Sequence, residues 1–319
     1  MSDEVRSVAI TGGGPAGLSA GLYLCRSKVD TVLFEQELPG GQALYSPLIE
    51  NYPGFPEGIG GAELVERIKT QAERFGLEIA TFSKVDGIDD GGDSKTLMLE
   101  NGQVRARAII VATGRHPRKM GIPGEDEYTG RGISYCATCD APLFRDRVVM
   151  VIGGGDAAVE EALHLVLFAS KVILVHRRDE LRASDYLKER AAAEPKLDFV
   201  WNSVLAEVKG DKTVQSAVVI NKETDERTEI PVSGVFIYVG NIPSSSFVAG
   251  LVELDDAGYI KTDETMATSA PGIFAAGDVR ANQFKQVIIS AAEGALAASS
   301  AQRYLERIGA RKAYGGAAV

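Results

Sequence analysis

Cysteine, histidine and tryptophan are all scarce in this chain: 319 residues hold three Cys, three His and one Trp. So few thiols exclude a disulfide-stapled secreted scaffold. A structural zinc site needs four Cys or His ligands, and only Cys136 and Cys139 show short ligand spacing. Cys25, His116, His164 and His176 do not repeat it, so no metal is expected. Positive charge is also in deficit, with 34 basic against 44 acidic side chains and a net charge of −10. Such a chain is repelled by nucleic acid and by anionic membrane surfaces, so neither is expected as a partner. No apolar run approaches the ~18 residues a membrane span requires. The start, MSDEVRSVAI, is acidic and enters a strand-like run at once, unlike a secretory leader, so a cytoplasmic location is expected.

What the chain does have is apolar mass and glycine. Hydrophobic residues make up 45%, enough for a sizeable core, and the length suggests two domains. The 35 glycines gather in informative places. SVAITGGGPAGLSAGLYL reads as strand, glycine turn, helix, with Gly12, Gly14 and Gly17 as G-x-G-x-x-G. In such a turn the first glycine makes the bend, the second lets backbone approach a pyrophosphate, and the third lets helix pack on strand. The following helix N-terminus offers free N–H groups to phosphate. The second strand, TVLFE, ends in Glu35, an acid placed to accept from a ribose 2′-hydroxyl.

The pattern recurs in RVVMVIGGGDAAVEEALHLV, where Gly153, Gly155 and Ala158 form G-x-G-x-x-A, followed by the strand KVILVHRRDELRA. From Gly12 to Glu35 is 23 positions, and from Gly153 to His176 is also 23. The acid of the first unit becomes a basic cluster in the second. Glu35 would repel a phosphate on the 2′-oxygen, whereas the guanidinium forks of Arg177, Arg178 and Arg182 match phosphate geometry. The first unit therefore suits a bare ribose, as in FAD or NAD, and the second suits NADP(H). Nicotinamide delivers hydride, and a flavin can accept it and pass two electrons to a disulfide. A catalytic role for Cys136 and Cys139 then has an electron source. A static staple over so short a loop would stabilise little.

YSPLIENYPGFPEGIGG reads as a Gly/Pro-rich loop, followed by a helix from about Gly61 to Phe75. The runs AIIVATG and GIFAAGDV match one another and flank the second nucleotide unit, and a long apolar helix at roughly Gln286–Ile308 closes the chain. The arrangement predicts an α/β protein with two Rossmann-like domains, parallel sheets in three layers, and the second inserted in the first. The expected bounds are 1–115 with 245–319, and 118–243. Pro117 and Pro243 lie near the two crossings, which suit a hinge. The tail RKAYGGAAV is expected to lack order. Both the dithiol and the nicotinamide site fall in the inserted domain, and both must reach one flavin ring, so two rotational poses of that domain are expected. Cys25 reads as a buried helix residue, His164 as packing or surface, and His116 as part of the hinge.

With these residues in view, the chain resembles the low-molecular-weight thioredoxin reductases of the class II pyridine nucleotide-disulfide oxidoreductases. The likeness runs through GGGPAG, GGQ at 40–42, ENYPG at 50–54, ATG at 112–114, CATCD at 136–140, GGGDAAVEEA at 153–162, HRRDELRA at 176–183, AAGDV at 275–279 and KQVIISAAEGALAA at 285–298. The resemblance implies a homodimer that passes electrons from NADPH through FAD to oxidised thioredoxin. It places FAD against Gly12, Gly14, Pro15, Ala16, Gly17, Glu35, Gly41, Gln42, Asn51, Val85, Thr113, Gly114, Gly277, Asp278, Lys285, Gln286 and Val287. It places NADPH against Gly153, Gly155, Asp156, Ala157, Ala158, Glu160, His176, Arg177, Arg178 and Arg182. Cys139 would be the flavin-side sulfur, Cys136 the outer thiol that attacks the substrate, and Asp140 the acid/base. Lys285–Val287 would aim the last helix's N-terminus at the flavin, where its dipole favours the anionic reduced ring.

Several positions depart from the family pattern. Ala141, Pro142 and Leu143 stand where Gly and aromatics are frequent, which leaves the identity of the thioredoxin partner open. Asp156 and Ala157 replace Asn-Thr, and an acid there would weaken pyrophosphate binding slightly. Asn241 stands for His, and Lys285 for Arg. Two other readings remain: a related flavoprotein disulfide reductase fed by NADH, a deazaflavin or ferredoxin, or reducing another thioredoxin-like protein, and a flavin-bound redox sensor that turns over nothing.

Overall fold

In the computed structural model the chain divides into two units, one made of the residues up to His116 and those from Ile242 onward, the other of Pro117–Asn241. The description covers residues 5–46, 49, 51–282 and 284–310, and stops at the backbone for Tyr45, Thr138 and Cys139. The tail 311–319, expected to lack order, lies outside the described residues.

The first unit is built on a seven-stranded sheet. Its parallel part runs Glu78–Ala80, Thr31–Phe34, Arg6–Thr11, Gly102–Val111, with Ile273–Ala275 on the far side of Gly102–Val111. Helices cover it, so its strands are continuous apolar runs rather than alternating ones, and Thr31–Phe34 is buried at every position. Pro15–Arg26 and Val287–Arg307 pack on one face around Leu18, Leu24, Ile10 and Ile110. An antiparallel meander, Val85–Asp90, Lys95–Leu99 and the start of Gly102–Val111, extends the same sheet. The helix expected at about Gly61–Phe75 spans Gly61–Arg74, with Phe75 as its C-cap. The closing helix spans Val287–Arg307, with Gln286 in the extended cap position.

The second unit repeats the plan. Five parallel strands lie in the order Leu197–Val200, Lys171–Val175, Val148–Ile152, Gly234–Ile237, Ile133–Ser134. The helix Asp156–Leu165 packs on one face through Ala158, Val159, Ala162 and Leu165. A three-stranded antiparallel sheet, Ser203–Gly210, Val214–Asn221 and Arg227–Pro231, covers the other through Leu205, Val208 and Val219. The fold is therefore mixed α/β with two Rossmann-like halves. The two crossing segments, Arg115–Pro117 and Asn241–Pro243, pair as a short ribbon. No helix among the described residues is long and apolar enough to cross a membrane.

Candidate active site

Each unit brings its glycine turn to the carboxyl ends of its strands. In the first, the backbone at Gly12 has φ +102°, and a Cβ there would overlap the Ala112 carbonyl oxygen. A Cβ at Gly17 would overlap the Gly12 carbonyl oxygen, so only glycine permits helix and turn to approach this closely. At Gly14 a Cβ would meet nothing within 4 Å, which leaves a cradle open beside the helix N-terminus. That helix starts at Pro15 with no side-chain cap, so its first N–H groups are open to an anion. Glu35 sits at the end of its strand, where one oxygen accepts from Gly13 N–H at 2.6 Å and the other from Glu37 N–H at 2.9 Å. A carboxylate has further acceptor sites, so Glu35 fits a ribose diol.

The remaining residues of the first set form a tied network. Gln42 Nε2 donates to the Arg115 carbonyl at 2.6 Å, and Asn51 Nδ2 donates to Gln286 Oε1 at 3.0 Å. Thr113 Oγ1 donates to the Ser244 carbonyl at 2.6 Å, next to Gly114 at φ +68°. Asp278 Oδ2 pairs with Arg115 Nε at 3.0 Å. Gly277 packs against Ala16, close enough that a Cβ would crowd the Ala16 Cβ. Val85 is buried in the meander. Lys285 commits its three donors to the carbonyls of Asp278 and Arg280 and to Asn282 Oδ1, and its ammonium lies 4.2 Å from the Tyr259 ring centroid. Lys285 is thus a staple of the loop ahead of the last helix. Burial pushes its ammonium below the usual lysine range.

In the second unit Gly153 is held against Ala158 and the Tyr238 backbone, while Gly155 faces open space as Gly14 does. Asp156 opens the helix beside exposed Ala157. Its carboxylate accepts from Ser184 N–H at 2.7 Å, and Arg182 N–H donates to the Gly154 carbonyl at 2.7 Å. The basic loop is therefore stitched to the glycine turn, and part of the acidity of Asp156 is directed at that stitch. Glu160 lies one helical turn on and lines, with Asp156, Ser184, Tyr186 and Arg190, a groove of about 480 Å³. Arg177, Arg178 and Arg182 are exposed at the strand tip. His176 differs from its neighbours: it is 3% exposed and packs under Gly154. Burial first, opposed by a backbone hydrogen bond at Gly153 and joined by the three arginines, holds it below the usual histidine range. The charge of this cluster is carried by the arginines.

Cys136 is disulfide-bonded and Cys25 is a buried free thiol. Cys136 precedes the short helix Ala137–Asp140, on which Cys139 and Asp140 lie; the Cys139 side chain is outside the described set. Ser134 Oγ accepts from Cys136 N–H at 3.0 Å and donates to the Cys136 carbonyl at 3.1 Å. Leu143 is exposed just beyond, while Phe144 packs edge-on against Phe236. Among the described residues no group of three or more His, Cys, Asp or Glu could hold a metal ion. His164 stacks at a tilt on Phe168, and His116 stands on a crossing strand with Nδ1 3.3 Å from Ser244 Oγ.

Some organising residues escape a reading of motifs. Glu293, 6% exposed, receives Gly277 N–H at 2.8 Å, Asn282 Nδ2 at 3.0 Å and the Arg280 guanidinium. Its signal was a carboxylate set among the small residues in the first half of the helix Val287–Arg307. Glu125 is buried and receives Met120 N–H, Gly121 N–H and the Tyr135 hydroxyl. Arg115 and Tyr238 carry no signal beyond lying next to the ATG and VGN segments.

The model of the pyridine nucleotide-disulphide oxidoreductase family matches residues 6–294. A thioredoxin reductase of Peptoclostridium acidaminophilum is 47% identical over 310 residues, covering 95% of this chain and 98% of its own. The solved thioredoxin reductase of Lactococcus lactis, in its FR conformation, is 46% identical, covers 95% of this chain and 99% of its own, and superposes with a TM-score of 0.82. That of T. acidophilum is 32% identical, covers 96% of this chain and 100% of its own, and reaches 0.80.

Proposed function

The chain belongs to the pyridine nucleotide-disulphide oxidoreductases and, among them, to the thioredoxin reductases, and from that premise we propose how its residues move electrons. The reaction is NADPH + H⁺ + oxidised thioredoxin → NADP⁺ + reduced thioredoxin. FAD, when bound, takes two electrons from NADPH and hands them to a disulfide. Gly12, Gly14 and the helix from Pro15 hold the FAD pyrophosphate, Glu35 holds its ribose, and the Asp278 loop is fixed by Arg115 and Glu293. Gly153 and Gly155 hold the NADPH pyrophosphate, and Arg177, Arg178 and Arg182 hold its 2′-phosphate.

Once the pair is reduced, the Cys136 thiolate attacks a substrate sulfur and forms a mixed disulfide, releasing the other substrate sulfur as a thiolate. The Cys139 thiolate then attacks Cys136, which frees the substrate as a dithiol and restores the Cys136–Cys139 bond. Asp140 moves the protons that accompany these steps. The working state is a homodimer in the cytoplasm. One observation carries the reading: a disulfide-bonded Cys136 stands in the same unit as a glycine turn stitched to three exposed arginines.

The deciding experiment is Cys139→Ser. The variant should retain flavin and let NADPH bleach it, yet fail to reduce thioredoxin. Full thioredoxin turnover by Cys139→Ser would reject the scheme. Bleaching as fast with NADH as with NADPH would reject the arginines' role and favour another donor.

A further inference from the structure

Tyr238 follows the strand Gly234–Ile237 and takes part in no motif. Its own N–H donates to the Ile152 carbonyl at 2.7 Å, which fixes its backbone beside Gly153. Its hydroxyl accepts the N–H of Ala137 at 2.6 Å. Ala137 is fully buried, is bonded directly to Cys136, and begins the helix that carries Cys139 and Asp140. A peptide N–H only donates, so the hydroxyl oxygen is the acceptor of this bond. Glu161, on the helix Asp156–Leu165, lies close enough for its charge to act on the same hydroxyl. Burial first, and the negative charge of Glu161 next, push the phenol far above the usual tyrosine range, so the proton stays on it throughout the working pH range.

The Cys136 peptide is thus held from two sides. Ser134 binds its N–H and its carbonyl, and Tyr238 binds the next N–H. We propose that Tyr238 is a positioning residue for disulfide exchange: it fixes the Cys136–Ala137 peptide and with it the line along which the outer sulfur meets a substrate disulfide. The inference rests on the reading of Cys136 and Cys139 as the redox pair. The effect of Tyr238 passes through the backbone of Cys136 and Ala137.

The test uses the flavin-loaded protein and three readouts: bleaching by NADPH, exchange of the reduced pair with the small disulfide 5,5′-dithiobis(2-nitrobenzoate), and the equilibrium of the pair in glutathione buffers. Tyr238→Phe keeps the ring and removes the hydroxyl. Loss of a buried hydrogen bond with one partner left unsatisfied corresponds to roughly tenfold. Exchange should therefore slow about tenfold in kcat with KM unchanged, and NADPH bleaching should stay within about twofold. The hydrogen bond is present with Cys136 oxidised, so its loss weakens that form. The equilibrium should shift toward the dithiol by up to about tenfold, or ~30 mV. Ser134→Ala releases the other hold on the Cys136 peptide and should move the same readouts in the same direction. It carries the test alone if Tyr238→Phe folds poorly. Any other pattern overturns the proposal, including an unchanged exchange rate, an unmoved equilibrium, or an equal fall in bleaching and exchange that would mark a merely structural residue. Failure of the redox-pair reading itself would show separately, as thioredoxin turnover by Cys139→Ser.

Discussion

Removing the Glu293 carboxylate should loosen the first unit more than any other single surface-preserving change. The group is 6% exposed and gathers three donors: Gly277 N–H, Asn282 Nδ2 and the Arg280 guanidinium, itself only 13% exposed at the side chain. Glu293→Ala leaves the arginine charge buried without its partner. Breaking a buried pair from one side costs about 3–5 kcal/mol. The two orphaned neutral donors would add about 1–3 kcal/mol each if nothing relaxed, but the three share one acceptor and their costs are not additive. The working figure is therefore about 3–5 kcal/mol for the variant, a large share of the ~5–15 kcal/mol that holds a typical domain. Glu293→Gln keeps an acceptor for Gly277 and should lose roughly half as much. Urea unfolding of apo-protein, followed by circular dichroism, gives the stability, and flavin retained after gel filtration gives the local consequence. The Asp278 loop begins at the N–H that Glu293 holds, so flavin should be lost in step with stability. A Glu293→Ala protein within about 1 kcal/mol of the parent would show that the network is not a support, and the argument from burial would be wrong.

Three other outcomes follow from the same geometry. Arg178→Ala should raise the KM for NADPH by roughly tenfold to a hundredfold, the loss of charge-assisted hydrogen bonds of about 1.5–3 kcal/mol, and leave the KM for NADH unchanged. Asp156→Asn keeps the acceptor for Ser184 N–H but removes an exposed charge near the pyrophosphate, so NADPH should bind roughly twofold tighter in 0.15 M salt; Asp156→Ala, which loses the stitch as well, should not gain. Glu125 is the pH-sensitive element: burial acts to raise its pKa, but Met120 N–H, the Tyr135 hydroxyl and Gly121 N–H outweigh it and hold the carboxyl below its ordinary 4.5. A depressed carboxylate stabilises the fold above pH 4.5 and loses that contribution as pH falls through the lower, folded value. Acid unfolding of the parent should therefore steepen below pH 4.5, and Glu125→Gln, which gives up that contribution and sets an amide donor against one of the three donors, should be less stable at pH 7 with a flatter acid limb.

What a sequence can show depends on how far apart its partners lie. The two glycine turns were legible because each completes a unit within 23 positions, and backbone geometry at Gly12 and Gly17 admits no other residue. The parallel strands were legible as short apolar runs, since helices and sheet bury both faces. The arginine cluster was legible, but His176 was not: its neighbours suggest a cation, while the fold seats it beneath Gly154, where burial holds it below the usual histidine range. The supports of the redox segment were hidden for a different reason. Ala137 and Tyr238 are 101 positions apart, and Arg115 and Asp278 are 163 apart. No local pattern marks a tyrosine whose task is to receive one peptide N–H. Glu160 and Glu161 show the limit most sharply. They are adjacent, identical in type and inside one family motif, yet the helix turns Glu160 to solvent and leaves Glu161 half-buried, its charge acting on the Tyr238 hydroxyl. Choosing between them from sequence requires the helix phase to within one residue, which the apolar pattern Ala158, Val159, Ala162, Leu165 supplies only once the packing face is known.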